Sequence, residues 1–317
     1  MDIDKLNEKE RYDMLAEMAD LYYNQGKTQS EIARYFETNR FRVAKLLQDA
    51  RNEQIVEIRI NYSNERNTVL EAEVREKLVL NQVIVVNSQY ATYTDSLNQM
   101  GKAGAAYLGK LLQRNRVIGL TWGKTIGSVV AQLPTVVGHP VDAVQMTGYM
   151  KTANASVDAR ELVRQVAAAY NGDYFYLNTP LYMKNAAVME ALCEEPIIRE
   201  TLDMTRRMDV ILSGIGGKSS LPTENPMIRP YLDETDRKAA CGGSLYGFVL
   251  DADGKAASID LNQRRMGAKL EDIMQVPHRV VVACGRHKAD ILKKAAQNGL
   301  YNELVTDSDT ALHILEN

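Results

Sequence analysis

Val117-Ile118-Gly119-Leu120-Thr121-Trp122-Gly123-Lys124-Thr125 reads as a β-strand that ends at Thr121, a turn at Gly123, and a helix opening at Lys124-Thr125. The same unit recurs on both sides of it. Strand-like runs at Val83–Val86, Val141–Met146, Tyr174–Leu177, Val210–Ser213, Val280–Ala283 and Glu303–Val305 alternate with amphipathic helical segments such as Leu97–Gln113, Asp158–Tyr170 and Lys288–Asn298. Strands rich in β-branched residues that alternate with helices predict a mostly parallel sheet covered on both faces, a Rossmann-like α/β arrangement. Ligands of such sheets bind at the carboxyl ends of the strands, so the loops there carry the functional reading.

The Gly119–Thr125 segment is not a nucleotide loop. That motif needs four residues between its glycines, and only Leu120, Thr121 and Trp122 stand between Gly119 and Gly123. No acidic strand end downstream offers a partner for magnesium. The residues suit an anion of another kind, because Gly123 lets the backbone approach and the amides that open the next helix favour a phosphate. Thr121, Trp122, Gly123, Lys124 and Thr125 are therefore candidate effector-binding residues. Gly214 and Gly216 would line the adjacent strand end, Thr147 and Gly148 another, and Lys288 would approach from the penultimate helix.

Ahead of this domain the pattern is purely helical. Met14, Leu15, Met18, Ala19, Leu21 and Tyr22 recur at helical spacing up to a break at Asn24-Gln25-Gly26. Thr28-Gln29-Ser30-Glu31 spells a capping box, which opens a second helix carrying Ile32, Ala33 and Phe36 inward. Asn39 is a good N-cap for a third helix with Val43, Leu46 and Leu47 on its buried side. Three helices with a short break before the last describe a helix-turn-helix unit. Arg40, Arg42, Lys45 and Arg51 lie off the buried face of the third helix, while the acidic residues gather nearer the amino terminus. A net charge of −3 thus coexists with a basic surface that fits double-stranded DNA. Arg40, Arg42, Lys45, Asn39 and Phe41 are the candidate readers of bases, and Thr28 and Gln29 suit a phosphate. Gln54–Ile60 reads as a strand, a reduced wing, and a polar helix after it carries Leu70, Val74 and Leu78 on one stripe. That stripe fits either a linker helix with a dimer contact or packing on its own domain. The resulting division is residues 1–60, a linker helix over 61–80, and an effector domain over 81–317.

Composition narrows the remaining classes. A chain 45% hydrophobic and 25% charged has material for packed, soluble domains, and the charged opening Asp2, Asp4, Glu8, Lys9 lacks the apolar core of a signal peptide. No apolar run approaches the ~18 residues of a membrane span, so a cytoplasmic protein is expected. Cys193, Cys241 and Cys284 are odd in number and scattered, and the four histidines lack ligand spacing. Reduced structural thiols, no metal site and no cofactor follow as expectations.

Taken together, the motifs resemble the SorC family of sugar-responsive bacterial regulators, over essentially the whole chain. The likeness is carried by Tyr22-Tyr23 with Gly26 through Ala33, Asn39-Arg40 through Val43 with Leu46-Leu47, and Ile118 through Thr125. It continues in Gly214-Ile215-Gly216, Phe248 through Gly254, Ala283-Cys284-Gly285 with Lys288, and Leu304 through Asp307 with Thr310-Ala311. The resemblance implies an effector domain like ribose-phosphate isomerases and glucosamine-phosphate deaminases in fold, a phosphorylated sugar as effector, operator DNA as partner, and a homodimer or homotetramer. Several positions depart from the pattern. Glu37 and Thr38 stand where a glycine and an aliphatic residue are usual, Asn39 replaces a serine, and Gly243-Ser244 replaces glycine followed by an acid. The lysine through which one subgroup holds its ligand as an imine falls near Thr147, so imine chemistry is not expected. The rival class is a sugar-phosphate isomerase or deaminase, for which Asp251, Asp253 and Asp307 are the available acids. Asp251 through Gly254 reads instead as a turn and Asp307 as a helix cap, and no catalytic residue is assigned. A DNA-organising protein would show weak sequence preference and no ligand response.

Overall fold

The computed structural model describes residues 7–53, 55–56, 66–87, 92–134, 139–150, 154–218, 221, 229, 232, 234–239 and 241–316. The chain divides into two compact units, Met1–Asn61 and Tyr62–Asn317.

The smaller unit holds α1 (Glu8–Tyr23), α2 (Gln29–Tyr35) and α3 (Arg40–Asn52). Each helix starts where a side chain satisfies a first-turn amide. Asn7 and Glu10 form a reciprocal box at α1, Thr28 and Glu31 do so at α2, and Asn39 accepts from the Arg42 amide at 2.9 Å at α3. The three helices then bury Leu15 and Met18, Ile32 and Phe36, and Val43, Leu46, Leu47 and Ala50 in one core. Truncating a core leucine such as Leu15 to alanine costs on the order of 2–5 kcal/mol, which is large for so small a unit. Between α2 and α3 the chain turns through Glu37, whose φ of 50° lies in the left-handed region. Of the strand expected over Gln54–Ile60, Ile55 and Val56 pack against this core. The rest of that span lies outside the described residues.

The larger unit runs α4 (Thr68–Leu78), β1 (Gln82–Val86), α5 (Tyr93–Leu111), β2 (Val117–Leu120), α6 (Lys124–Val130), β3 (Asp142–Gln145), α7 (Ala159–Ala169), β4 (Tyr174–Phe175), α8 (Ala186–Glu194), α9 (Pro196–Thr205) and β5 (Val210–Ser213). It continues with β6 (Ile215–Gly216), α10 (Glu234–Ala239), β7 (Gly243–Leu245), β8 (Phe248–Leu250), α11 (Asp260–Gln263), α12 (Leu270–Gln275), β9 (His278–Val282), α13 (Ala289–Gln297), β10 (Glu303–Asp307) and α14 (Ser308–Glu316). Each strand-like run of the sequence becomes a strand of one parallel sheet, ordered β1-β10-β9-β5-β2-β3-β4. The alternation of side chains divides its core between two faces. Val83 and Val85 join α4, α13 and α14 on one face, whereas Ile84 and Val86 join α5, α6 and α7 on the other.

The helix expected as a linker belongs to this unit. Leu70, Val74 and Leu78 of α4 are buried in the first of these cores, and Arg66 pairs with Glu71, whose carboxylate also accepts from the Val85 amide at 3.1 Å. Its apolar stripe is therefore used at home, against β1 and α14. That corrects the linker and dimer-contact reading of 61–80. No helix among the described residues is long and apolar enough to cross a membrane.

Strand order reverses beside β2. From β2 the chain winds outward through β3 to β4, then returns to the other side of β2 with β5 and winds away through β9 and β10. The loops after β2 and β5 therefore leave in opposite directions and open a crevice between them, the place where open α/β sheets take ligands.

Candidate functional site

The crevice is occupied by a cavity of about 300 Å³. Thr121, Trp122, Gly123, Lys124 and Thr125 enter it from the end of β2, Gly214 and Gly216 from the end of β5 and from β6, and Lys288 from the turn before α13. Three separate stretches of chain thus bring eight of the sequence-derived candidates to one place. Gly123 has φ 130°, and a side chain there would meet nothing within 4 Å. Glycine at that position serves conformation rather than space. The Thr121 and Ser213 hydroxyls are 3.1 Å apart and both are buried, which ties the β2 and β5 ends together.

The remaining two candidates are not brought in. Thr147 and Gly148 are buried behind the cavity wall: Thr147 forms a bridge with Gly267, and a side chain at Gly148 would run into the carbonyl of Pro180. β3 does not end freely as the sequence suggests, because the chain beyond it is pinned by these pairings. That wall is built by residues the sequence did not single out as ligand contacts. They are Tyr93, Met150, Tyr182 and Ile215, together with the hairpin residues Ser244, Leu245, Tyr246 and Gly247. Tyr246 at φ 54° and Gly247 at φ 77° form the two-residue turn between β7 and β8, and two left-handed residues are what a tight hairpin requires. Tyr182 donates to the Gly247 carbonyl at 2.7 Å, fixing the turn against the cavity.

Electrostatically the cavity is a place for an anion. Lys124 and Lys288 line it, and no Asp or Glu does among the described residues. Lys288 is half-buried, and that burial pulls its ammonium below the usual lysine range. Asp307 and the Cys284 thiol lie near enough to oppose that shift in part. Cys284 itself is pushed up to about 11, chiefly by burial. Asp307 is spent as a cap, accepting from the Thr310 amide at 2.7 Å, and Asp251 closes a turn by accepting from the amides of Asp253 and Lys255. Among the described residues no group of His, Cys, Asp and Glu gathers as metal ligands would.

In the smaller unit, α3 presents a second surface. Arg40, Phe41 and Lys45 are exposed, and the Arg40 guanidinium sits 4.8 Å from the centre of the Phe41 ring. Phe41 is 73% exposed, so it does not pack under the turn. Asn39 and Thr28 are exposed too, but their side chains cap α3 and α2, the Thr28 hydroxyl donating to Glu31 at 2.7 Å. Gln29 and Arg42 are half-buried.

A family model described as "Putative sugar-binding domain" matches residues 62–316. The uncharacterized transcriptional regulator YjhU of Escherichia coli K12 is 28% identical over 93% of this chain and 92% of its own length. The deoxyribonucleoside regulator of Bacillus subtilis is 25% identical over 96% and 97%. The crystal structure of the full-length sorbitol operon regulator SorC of Klebsiella pneumoniae superposes with a TM-score of 0.73 at 24% identity, covering 98% of this chain and 100% of that one. With the family model spanning residues 62–316, and with relatives of this kind matched over most of their length and of this chain, the chain belongs to the sugar-binding-domain family of SorC-type transcriptional regulators.

Proposed function

We propose that the chain is a transcriptional regulator of carbohydrate genes whose hold on operator DNA is set by a phosphorylated sugar. The observation that carries this reading is the convergence of Thr121–Thr125, Gly214, Gly216 and Lys288 on one cavity with two lysines in its lining. A dianionic phosphate between Lys124 and Lys288 would gain charge-assisted hydrogen bonds in a site partly screened from water. Relatives named for the sorbitol operon and for deoxyribonucleosides support a sugar-linked role.

In this reading α1–α3 form a helix-turn-helix. Arg40 and Lys45 of α3 enter the major groove, where an arginine fork pairs with guanine O6 and N7. The larger unit has the fold of the ribose-phosphate isomerase type, used for binding rather than turnover. A homo-oligomer presents paired α3 helices to a two-fold operator, and ligand favours one arrangement of subunits over another.

The test is a fluorescence-anisotropy titration of the full chain on DNA from its own upstream region, with and without a panel of phosphosugars. A change in operator affinity of about 5- to 150-fold with at least one of them is expected. Tight DNA binding that ignores the whole panel would overturn effector control by this class.

A further inference from the structure

The exposed side of α3 is not uniformly basic. Val43, Leu46, Leu47 and Ala50 turn into the core of the smaller unit. Away from them Phe41, Ala44 and Lys45 stand in the open at i, i+3 and i+4, with Arg40 beside them. Two of these four side chains carry no polar atom. Phe41 is 73% exposed, the most exposed ring among the described aromatic residues, whereas the other three phenylalanines of the chain, Phe36, Phe175 and Phe248, are buried or half-buried. A phenyl ring left in water forgoes the free energy that burial releases, and unlike tyrosine it has no hydroxyl to offer to solvent.

The ring is also coupled to a cation. The Arg40 guanidinium lies over it, 4.8 Å from its centre, so the two side chains present a planar fork resting on an apolar plate. Asn39, the residue before them, is withdrawn into the cap, where its side-chain oxygen accepts from the Arg42 amide at 2.9 Å. Arg40 and Phe41 are the first two residues of α3, at the end of a recognition helix that meets base edges. In the major groove a guanidinium pairs with guanine O6 and N7, and the feature that an apolar group recognises is the thymine 5-methyl. Successive base pairs are about 3.4 Å apart along the axis. A guanine held by the fork therefore brings a neighbouring base pair within reach of the ring.

We infer that α3 reads a guanine with a thymine in the adjacent base pair, Arg40 taking the guanine while Phe41, with Ala44 one turn on, closes over the thymine methyl. This rests on the reading of α3 as a recognition helix. It adds to that reading the base step that the operator must contain, and it makes Phe41 a specificity-determining residue whose contact carries no charge.

The experiment is selection of bound duplexes from a random-sequence pool by the full chain, followed by fluorescence anisotropy on the selected duplex with uracil replacing one thymine at a time. Uracil removes the methyl and leaves the base pairing intact. The selected half-site is expected to hold a guanine flanked by a thymine, and uracil at that thymine should weaken binding roughly fourfold, the worth of one buried methyl. Phe41→Ala should bind the thymine and uracil duplexes equally well. Its melting temperature should be no lower than that of the natural chain, because alanine is a good occupant of an exposed helical position. A selected sequence in which no thymine adjoins a guanine, no penalty for uracil there, or a penalty that survives in Phe41→Ala would overturn the inference and leave α3 as the recognition helix. A pool from which no sequence is enriched would overturn both.

Discussion

The Thr121 and Ser213 hydroxyls, 92 residues apart in sequence, meet at 3.1 Å. The Ser213 hydroxyl donates onward to the Gly214 carbonyl at 2.9 Å, so Thr121 is the donor of the pair. This short chain of hydroxyls closes the sheet where its strand order reverses and holds the two loops of the cavity at a fixed separation. Thr121→Val keeps the shape and removes the donor. A buried hydrogen bond of this kind contributes about 1 kcal/mol, which in a unit this size is a fall of about 2–4 °C in melting temperature. Differential scanning calorimetry on the full chain measures it, and ligand affinity should fall in the same variant.

Lys288 should trade stability for binding. Its folded-state pKa lies below that of the unfolded chain because burial penalises the ammonium. Between those two values the unfolded chain binds the proton and the folded chain does not, so stability rises with pH across that window. Lys288→Met removes the penalty, and its melting temperature at neutral pH should exceed that of the natural chain. Phosphosugar affinity should drop roughly 10- to 150-fold with the loss of a charge-assisted bond. A variant both less stable and unchanged in affinity would place Lys288 outside the ligand's reach.

Arg40→Ala should weaken operator binding by about 5- to 150-fold, the worth of one arginine-guanine fork. The melting temperature should not move, because Arg40 is exposed and among the described residues its guanidinium meets only the Phe41 ring. Anisotropy on operator and on shuffled DNA separates lost readout from lost charge, the latter weakening both equally.

The α2 cap should titrate. Glu31 accepts from the Thr28 amide at 2.8 Å and from its hydroxyl at 2.7 Å, which hold its carboxyl below the usual glutamate range. The stabilisation is therefore complete above the unfolded value and is lost as pH falls through the depressed folded one. Glu31→Gln should flatten that acid limb in circular dichroism melts of the full chain taken from pH 6 downward.

How much of this was legible in the chain differs from element to element. β1 and β9 were plain because runs such as Val83–Val86 and Val280–Val282 are β-branched and buried on both faces. The caps at Thr28 and Asn39 were plain because capping is local, needing only residues three apart. The Ser244–Gly247 wall was not, since β6, β7 and β8 are two or three residues each and make a separate antiparallel sheet. Its one local signal, Tyr246-Gly247 between two short apolar runs, is what a hairpin turn leaves in a sequence. Thr147 and Gly148 failed as candidates for a related reason. Only the pairing of Thr147 with Gly267, 120 positions later, shows that the end of β3 is covered. The role of α4 needed tertiary contact as well, because a Leu70/Val74/Leu78 stripe looks the same whether it meets its own sheet or another subunit.

An anionic ligand should bind where β2 and β5 part. The decisive measurement is a crystal structure of the full chain with a phosphosugar that raises its melting temperature. Phosphorus density is expected between the Thr121–Thr125 turn and the Lys288 ammonium. Density elsewhere, for example in the separate cavity of about 460 Å³ lined by Met189, Arg206 and Phe248, would contradict it.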